Sequence, residues 1–200
     1  MRFALFGNTH ETGKSAHAKQ LITILSNHGD DIYIDRDFYC FLCEEQGLAF
    51  TPAGIITRLC DLNIDMAISL GGDGTFRGAT DLSNHGVPCV GLPGTIDNDI
   101  SCTNYCIGFD SAANTAIECI DKLRDTMQSH ERCSVVEVMG RHAGYLAMYV
   151  GLAVGATAVL VPEHPLSNEE LIEKIRKARL NGFTHYMIVV AEGVGGTQKL

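Results

Sequence analysis

Apolar residues in this chain gather into short runs that alternate with stretches of helical spacing, almost without interruption. The runs at residues 2–7, 31–35, 65–70, 87–92, 134–139, 158–161 and 185–191 predict buried strands. Between them, residues 15–27 place Ala18, Leu21, Ile22 and Leu25 on one helical face, and residues 110–127 do the same with Ala113, Ala116, Ile117, Ile120 and Leu123. Residues 54–62, 75–84, 142–154 and 168–180 complete the predicted helices. Ser167, Asn168, Glu169 and Glu170 form an amino-terminal cap with acidic residues in the first turn, and Lys174, Arg176, Lys177 and Arg179 precede the stop at Asn181-Gly182. Buried runs alternating with amphipathic helices predict an α/β fold: an open parallel sheet of the Rossmann-like or flavodoxin-like kind, with helices on both faces, as one sheet or two small ones. A soft boundary near Gly108 divides residues 1–107 from residues 108–200, because the long helix there can carry the chain from one sheet to another.

Composition narrows the function classes. A net charge of −9 makes the chain a poor general binder of nucleic acid or of an anionic membrane. It leaves phosphorylated small molecules open, since local arginines and helix amino termini bind them. No segment has the roughly 18 uninterrupted apolar residues of a membrane span, and residues 1–6 form too short an apolar run for a signal peptide. The 8 cysteines lie mostly inside apolar strand or helix patterns. Reduced thiols and a cytoplasmic location are therefore expected. Cys40 and Cys43 form a lone C-x-x-C, and Cys102 and Cys106 a C-x-x-x-C; neither has the second pair that a structural zinc site needs.

The candidate chemistry sits where strands end. Gly71-Gly72-Asp73-Gly74-Thr75 follows one buried run, and Pro93-Gly94-Thr95-Ile96-Asp97-Asn98-Asp99 follows the next. In an open α/β sheet that end is where ligands bind. The glycines Gly72 and Gly74, with Thr75, let a nucleotide's phosphates approach the backbone. Asp73, Asp97 and Asp99 can hold Mg²⁺ or accept a proton. Alternating aspartates in an extended loop point to one side, so one can bind metal while the other takes a hydroxyl proton. Arg132 and Arg141 flank a later strand and suit phosphate through the planar guanidinium fork. Glu192 closes the last strand, where a carboxylate can accept bonds from sugar hydroxyls. The bland alternative is a set of tight turns with solvated aspartates, but turns rarely collect three carboxylates beside so many glycines. Residues 7–15 resemble a Walker A loop, yet five residues separate Gly7 from Gly13 where a P-loop has four, so a P-loop ATPase is rejected.

From about residue 77 to residue 195 the chain resembles 6-phosphofructokinase. The matching text is PGTIDNDI at 93–100, IGFDSAANTAIECIDKLRDT at 107–126, SHERCSVVEVMGRHAGYLA at 129–147 and VAEGVG at 190–195. The resemblance implies transfer of a phosphoryl group from ATP to fructose 6-phosphate, with Mg²⁺. It implies Asp97 as the base that deprotonates the sugar 1-hydroxyl, Thr95 beside the transferring group, and Arg141 as its stabilising cation. Asp73 and Asp99 would lie by Mg²⁺, and Met139, Gly140 and Glu192 would contact the sugar. Arg132 would reach the sugar 6-phosphate of a neighbouring subunit, so a homo-oligomer is expected. Gly74 and Gly94 match the ATP-using members; pyrophosphate-using members tend to carry Asp and Lys there. On this resemblance the first half is of nucleotide-binding type and the second of sugar-phosphate type, truncated.

The first 76 or so residues resemble something else. FALFGNTH at 3–10, IYIDRDFYCFL at 32–42 and DMAISLGGDGTF at 65–76 are similar to the amino-terminal domain of a bacterial NAD kinase. The two likenesses meet at the shared GGDG. This leads to the expectation of a chimera, natural or engineered, in which both parent sites are incomplete and turnover is very low. A structural chimera without catalytic role and an NAD kinase-like nucleotide-binding module are the competing readings. Cooperative unfolding untouched by ATP or sugar phosphate would mark the first, and binding of NAD the second.

Overall fold

The computed structural model describes residues 1–7, 15–45, 47–57 and 63–195. The chain divides into two compact units, Met1–Gly94 and Thr95–Leu200, at a boundary earlier than the one expected near Gly108.

The first unit runs β1 (Arg2–Gly7), α1 (Ser15–Asn27), β2 (Asp31–Asp35), α2 (Arg36–Cys40), a π-helical turn (Phe41–Glu45), β3 (Gly54–Ile56), β4 (Met66–Gly71), α3 (Asp73–Asn84) and β5 (Cys89–Pro93). All its strand pairs are parallel, in the order β3-β2-β1-β4-β5. Alternation along the strands divides the core between the two faces. Phe3, Leu5, Ile32, Ile34, Ile68 and Leu70 pack with Ala18, Ile22 and Leu25 of α1. Ala4, Ala67 and Ile56 form the other layer, with Leu82 of α3 against it. Strand order therefore reverses between β1 and β4, and a crevice opens outside the carboxyl ends of such a pair.

Two local expectations are corrected here. The helix expected over residues 54–62 begins instead as β3, in which Gly54, Ile55 and Ile56 pair with Tyr33, Ile34 and Asp35. Two adjacent β-branched residues suit a strand better than a helix, and a place beside β2 decides it; residues 58–62 lie outside the described residues. The helical segment from Arg36 to Glu45 is not foreseen from hydrophobic spacing. It starts because the Asp35 side chain accepts from the N–H groups of Asp37 and Phe38, each at 3.2 Å. The Walker-like stretch at residues 8–14 also lies outside the described residues.

The second unit carries α4 (Phe109–Ser129), β6 (Cys133–Val138), α5 (Tyr145–Ala153), β7 (Ala158–Leu160), α6 (Asn168–Leu180), β8 (Tyr186–Ala191) and a short 3₁₀ turn (Glu192–Val194). Its three parallel strands lie in the order β6-β8-β7. Central β8 is apolar on both faces. Met187, Val189 and Ala191 meet α4 and α5 through Ala113, Ile120, Leu146 and Val150, while Ile188 and Val190 meet Leu171 of α6. Burying each of the Val, Leu, Ile and Met side chains among them contributes roughly 1.5–3 kcal/mol.

The α6 cap is a full capping box: Glu170 N–H donates to Ser167 Oγ at 3.3 Å, and Ser167 N–H donates to Glu170 Oε2 at 2.9 Å. The Ser167 N–H, and after it the Ser167 Oγ–H that donates to Glu170 Oε2 at 3.0 Å, hold the Glu170 carboxyl below its usual pKa. Ser167→Ala should cost about 1 kcal/mol, read as a lower midpoint in thermal unfolding.

Candidate functional site

In the first unit, β4 ends at Gly71, Gly72 caps α3, and Asp73, Gly74 and Thr75 form its first turn. The loop is pinned on both sides. Gly94 N–H donates to Gly71 O at 2.9 Å, and Ser69 Oγ donates to Thr75 O at 3.1 Å. Gly71 has no room for a side chain, because a Cβ there would lie 2.7 Å from Thr75 Cβ. Gly74, by contrast, faces open space within 4 Å. The opening N–H groups of α3 thus stand at the strand-order reversal, which suits an anion. Asp73 is paired on the surface with Arg77, Oδ2 to Nη2 at 2.9 Å.

In the second unit, the carboxyl ends of β6, β7 and β8 bring together Met139–Gly140–Arg141, residues 161–163 and Glu192–Gly193. A Cβ on Gly193 would lie 2.7 Å from Arg141 O and 3.2 Å from Pro162 Cγ, so these loops touch. The aspartate loop joins them. Burial raises the Asp97 carboxyl above its usual pKa, and the neighbouring Asp99 charge raises it further. A hydrogen bond from Thr95 opposes the rise, Glu192 adds to it, and Arg141 pulls it down. Asp97, Asp99, Thr95, Glu192 and Arg141 therefore share one electrostatic neighbourhood.

The loop is not extended as expected. Asn98 stands between the two aspartates at φ 54°. Its Oδ1 accepts from Cys106 N–H at 2.8 Å, and its Nδ2 donates to Asn104 O at 3.4 Å. Asparagine tolerates the left-handed region, and these two bonds fold the loop back on itself. Thr95 is buried, and its Oγ1 accepts from Asp97 N–H at 3.2 Å. Hydrophobic spacing gave no sign of Asn98 as the organiser; its place between two carboxylates was the available signal.

Among the described residues, the non-glycine residues with positive φ are Asn98 (54°), Glu131 (50°) and Arg141 (56°). Each is, or adjoins, a candidate site residue, and such conformations gather where function demands them. Arg132, next to Glu131, is set apart. It precedes β6, whereas Met139–Arg141 follow it, and six residues of strand separate the two ends by roughly 20 Å.

A separate concavity of about 410 Å³ in this unit is lined by Arg124, Lys174, Lys177 and His185 among others and, among the described residues, has no carboxylate in its wall. Among the described residues, no three His, Cys, Asp or Glu side chains cluster as a metal cage. Mg²⁺ needs none, since it keeps several waters and takes one or two carboxylates together with phosphate oxygens. The carboxylate oxygens of Asp99 fit that demand.

A family model described as phosphofructokinase matches residues 10–200. The chain belongs to the phosphofructokinase family. The match also runs through most of the stretch that resembles NAD kinase, so neither an NAD kinase segment nor a chimera gains support. ATP-dependent 6-phosphofructokinase 1 of Clostridium perfringens is 58% identical over 137 residues, covering 68% of this chain and 43% of that protein. ATP-dependent 6-phosphofructokinase of Bacillus subtilis is 52% identical over 140 residues, 70% of this chain and 44% of that protein. The chain thus spans less than half the length of these curated relatives. Among solved structures, phosphofructokinase from Saccharomyces cerevisiae matches with a TM-score of 0.75 and 26% identity, covering 96% of this chain and 33% of that one. A pyrophosphate-dependent phosphofructokinase from Marinobacter aquaeolei shares the fold, with a TM-score of 0.68 at 22% identity over 96% of this chain and 61% of that one.

Proposed function

We propose that this phosphofructokinase-family chain serves ATP-dependent phosphoryl transfer to the 1-hydroxyl of fructose 6-phosphate. The observation that supports this reading best is the environment of Asp97: a part-buried carboxylate with a raised pKa, beside a second carboxylate and facing the charge of Arg141. A base needs a pKa drawn towards the working pH, and the transferring group needs a fixed cation. In this reading Asp97 takes the hydroxyl proton as the sugar oxygen bonds to the γ-phosphorus, and the bond from that phosphorus to the ADP oxygen breaks. Arg141 holds the charge on the transferring group, Thr95 lies beside it, and Met139, Gly140 and Glu192 hold the sugar. Bound Mg²⁺ would supply charge neutralisation for the phosphates, and Asp73 and Asp99 are the carboxylates this reading assigns to it. Gly72, Asp73, Gly74 and Thr75 receive the nucleotide's phosphates.

Arg132, at the amino end of β6, serves a neighbouring copy, so the working form is a homo-oligomer. Among the described residues no helix is long and apolar enough to cross a membrane, and the cysteines described are free thiols; a cytoplasmic location is part of the same reading. A coupled assay with fructose 6-phosphate and Mg-ATP, run beside Asp97→Ala and a size measurement, tests it; equal rates remove the assigned base.

ATP rather than pyrophosphate is the donor because Gly74 and Gly94 leave these positions without a side chain. Gly74→Asp separates binding from folding. Nothing within 4 Å obstructs a Cβ there, and a carboxylate in the first turn favours the helix by about 0.3–1 kcal/mol. The same charge faces the nucleotide's phosphates. Unchanged or slightly higher thermal stability, with at least tenfold weaker Mg-ATP binding by calorimetry, is the expected result.

A further inference from the structure

The turn that carries Arg141 is held from outside itself. Ala143 N–H donates to Gly140 O at 2.8 Å and closes it. Within it, Gly140 has φ 147° and Arg141 φ 56°. The next residue, Gly144, caps α5 without a side chain, and α5 has no acidic residue in its first turn. Such a start leaves N–H groups in need of an acceptor. Glu163, on the loop after β7, provides one: its Oε1 accepts from Gly144 N–H at 2.7 Å. A charged acceptor at a helix amino terminus is favourable twice over, as a hydrogen bond and against the helix dipole. A Cβ on Gly144 would lie 2.5 Å from both Glu163 Oε2 and Val161 Cβ, so the glycine is required by this contact. On the other side, Gly193 packs under Arg141 O.

We infer that Glu163 is a positioning residue for phosphoryl transfer: by holding Gly144 N–H, it fixes the 140–144 turn in the left-handed form that presents Arg141. The inference rests on the phosphotransfer reading of Arg141. Glu163 touches neither substrate nor reacting atoms in this scheme; it acts through the turn. Displacing a charge-bearing group by about 1 Å costs on the order of a hundredfold in rate, which sets the scale of the effect.

The test uses the full chain and three substitutions. Glu163→Ala removes the acceptor, Glu163→Asp keeps the charge but shortens its reach, and Glu163→Gln keeps an acceptor oxygen at the same reach. Expected for Glu163→Ala is a fall in kcat of about tenfold to a hundredfold, with KM for Mg-ATP and for fructose 6-phosphate changed less than about threefold. Glu163→Asp falls between, and Glu163→Gln restores most of kcat. By nuclear magnetic resonance, Gly144 amide exchange accelerates about tenfold or more in the alanine variant and stays near wild type in the glutamine variant. A general loss of fold would instead lower stability without this split and without rescue by glutamine. Unchanged kcat in Glu163→Ala, or equal losses in the alanine and glutamine variants, overturns the positioning role. If wild type and Arg141→Ala transfer phosphate equally, the reading of Arg141 fails and the positioning role with it; Gly144 exchange then still reports separately whether Glu163 holds the turn.

Discussion

Asp97→Asn should lower phosphoryl transfer by about 10²–10⁴-fold and at the same time make the protein more stable at neutral pH. Both effects come from one environment. Burial raises the Asp97 carboxyl pKa, and Asp99 adds to the rise. A group whose folded pKa lies above its unfolded value, about 3.9 for aspartate, stabilises the fold only at pH below that unfolded value. The contribution is lost as pH climbs through the raised folded pKa, so at neutral pH wild type holds a charge that the fold disfavours. Asparagine, uncharged throughout, escapes the penalty. Its melting midpoint should exceed wild type by about 2–4 °C near neutrality, and the gap should close as pH falls towards 4 and below. Catalysis follows the same shift with the other sign. On the proposed reading the ionised form is the base, so kcat/KM should fall on the acid side as pH drops through the raised value. Asp99→Asn, which removes the repelling charge, should move that limb to lower pH. Thr95→Val, which removes the bond that favours the ionised form, should move it to higher pH. Movement of both limbs in one direction, or an asparagine variant as active as wild type, would remove Asp97 from the role of base.

The legible part of this molecule is the part governed by local patterning. Residues 2–7 and 31–35 read as strands and are β1 and β2; residues 15–27 and 168–180 read as helices and are α1 and α6. In each case burial on a fixed period, or a local cap such as Ser167, decides the outcome. What escaped depends on partners distant in sequence. Residues 54–56 carry an apolar run too short to distinguish strand from helix, and only pairing with β2 makes them a strand. Of the candidate site, the residue types and their places after strands were visible at Asp73, Asp97, Arg141 and Glu192. The bend at Asn98 was not, because its cause lies in backbone groups of residues 104 and 106. Glu163 left no trace in any motif, since the bond from Gly144 N–H to its carboxylate spans 19 residues.

Comparing Arg141→Gly with Arg141→Ala should separate strain from charge at the same position. Arg141 holds φ 56°, a conformation that an L side chain occupies at a cost and glycine does not. Alanine keeps that cost; glycine loses it but gains freedom in the unfolded chain, which offsets about 0.4–1 kcal/mol. Against a left-handed cost of roughly 1–2 kcal/mol, the glycine variant should be more stable than the alanine variant by about 1 kcal/mol in denaturant titration. Both lack the guanidinium, so both should lose about 10²–10³-fold in transfer. Both should also move the acid limb of the pH profile upward, because Arg141 lowers the Asp97 pKa. The expected pair, lower activity together with relieved backbone, would mean that this corner is kept strained for the charge it carries. Equal stability of the two variants would show that the left-handed geometry is not what the residue endures in solution. Retained transfer in both would take Arg141 out of the reaction, and with it the reason for a non-glycine residue at this turn.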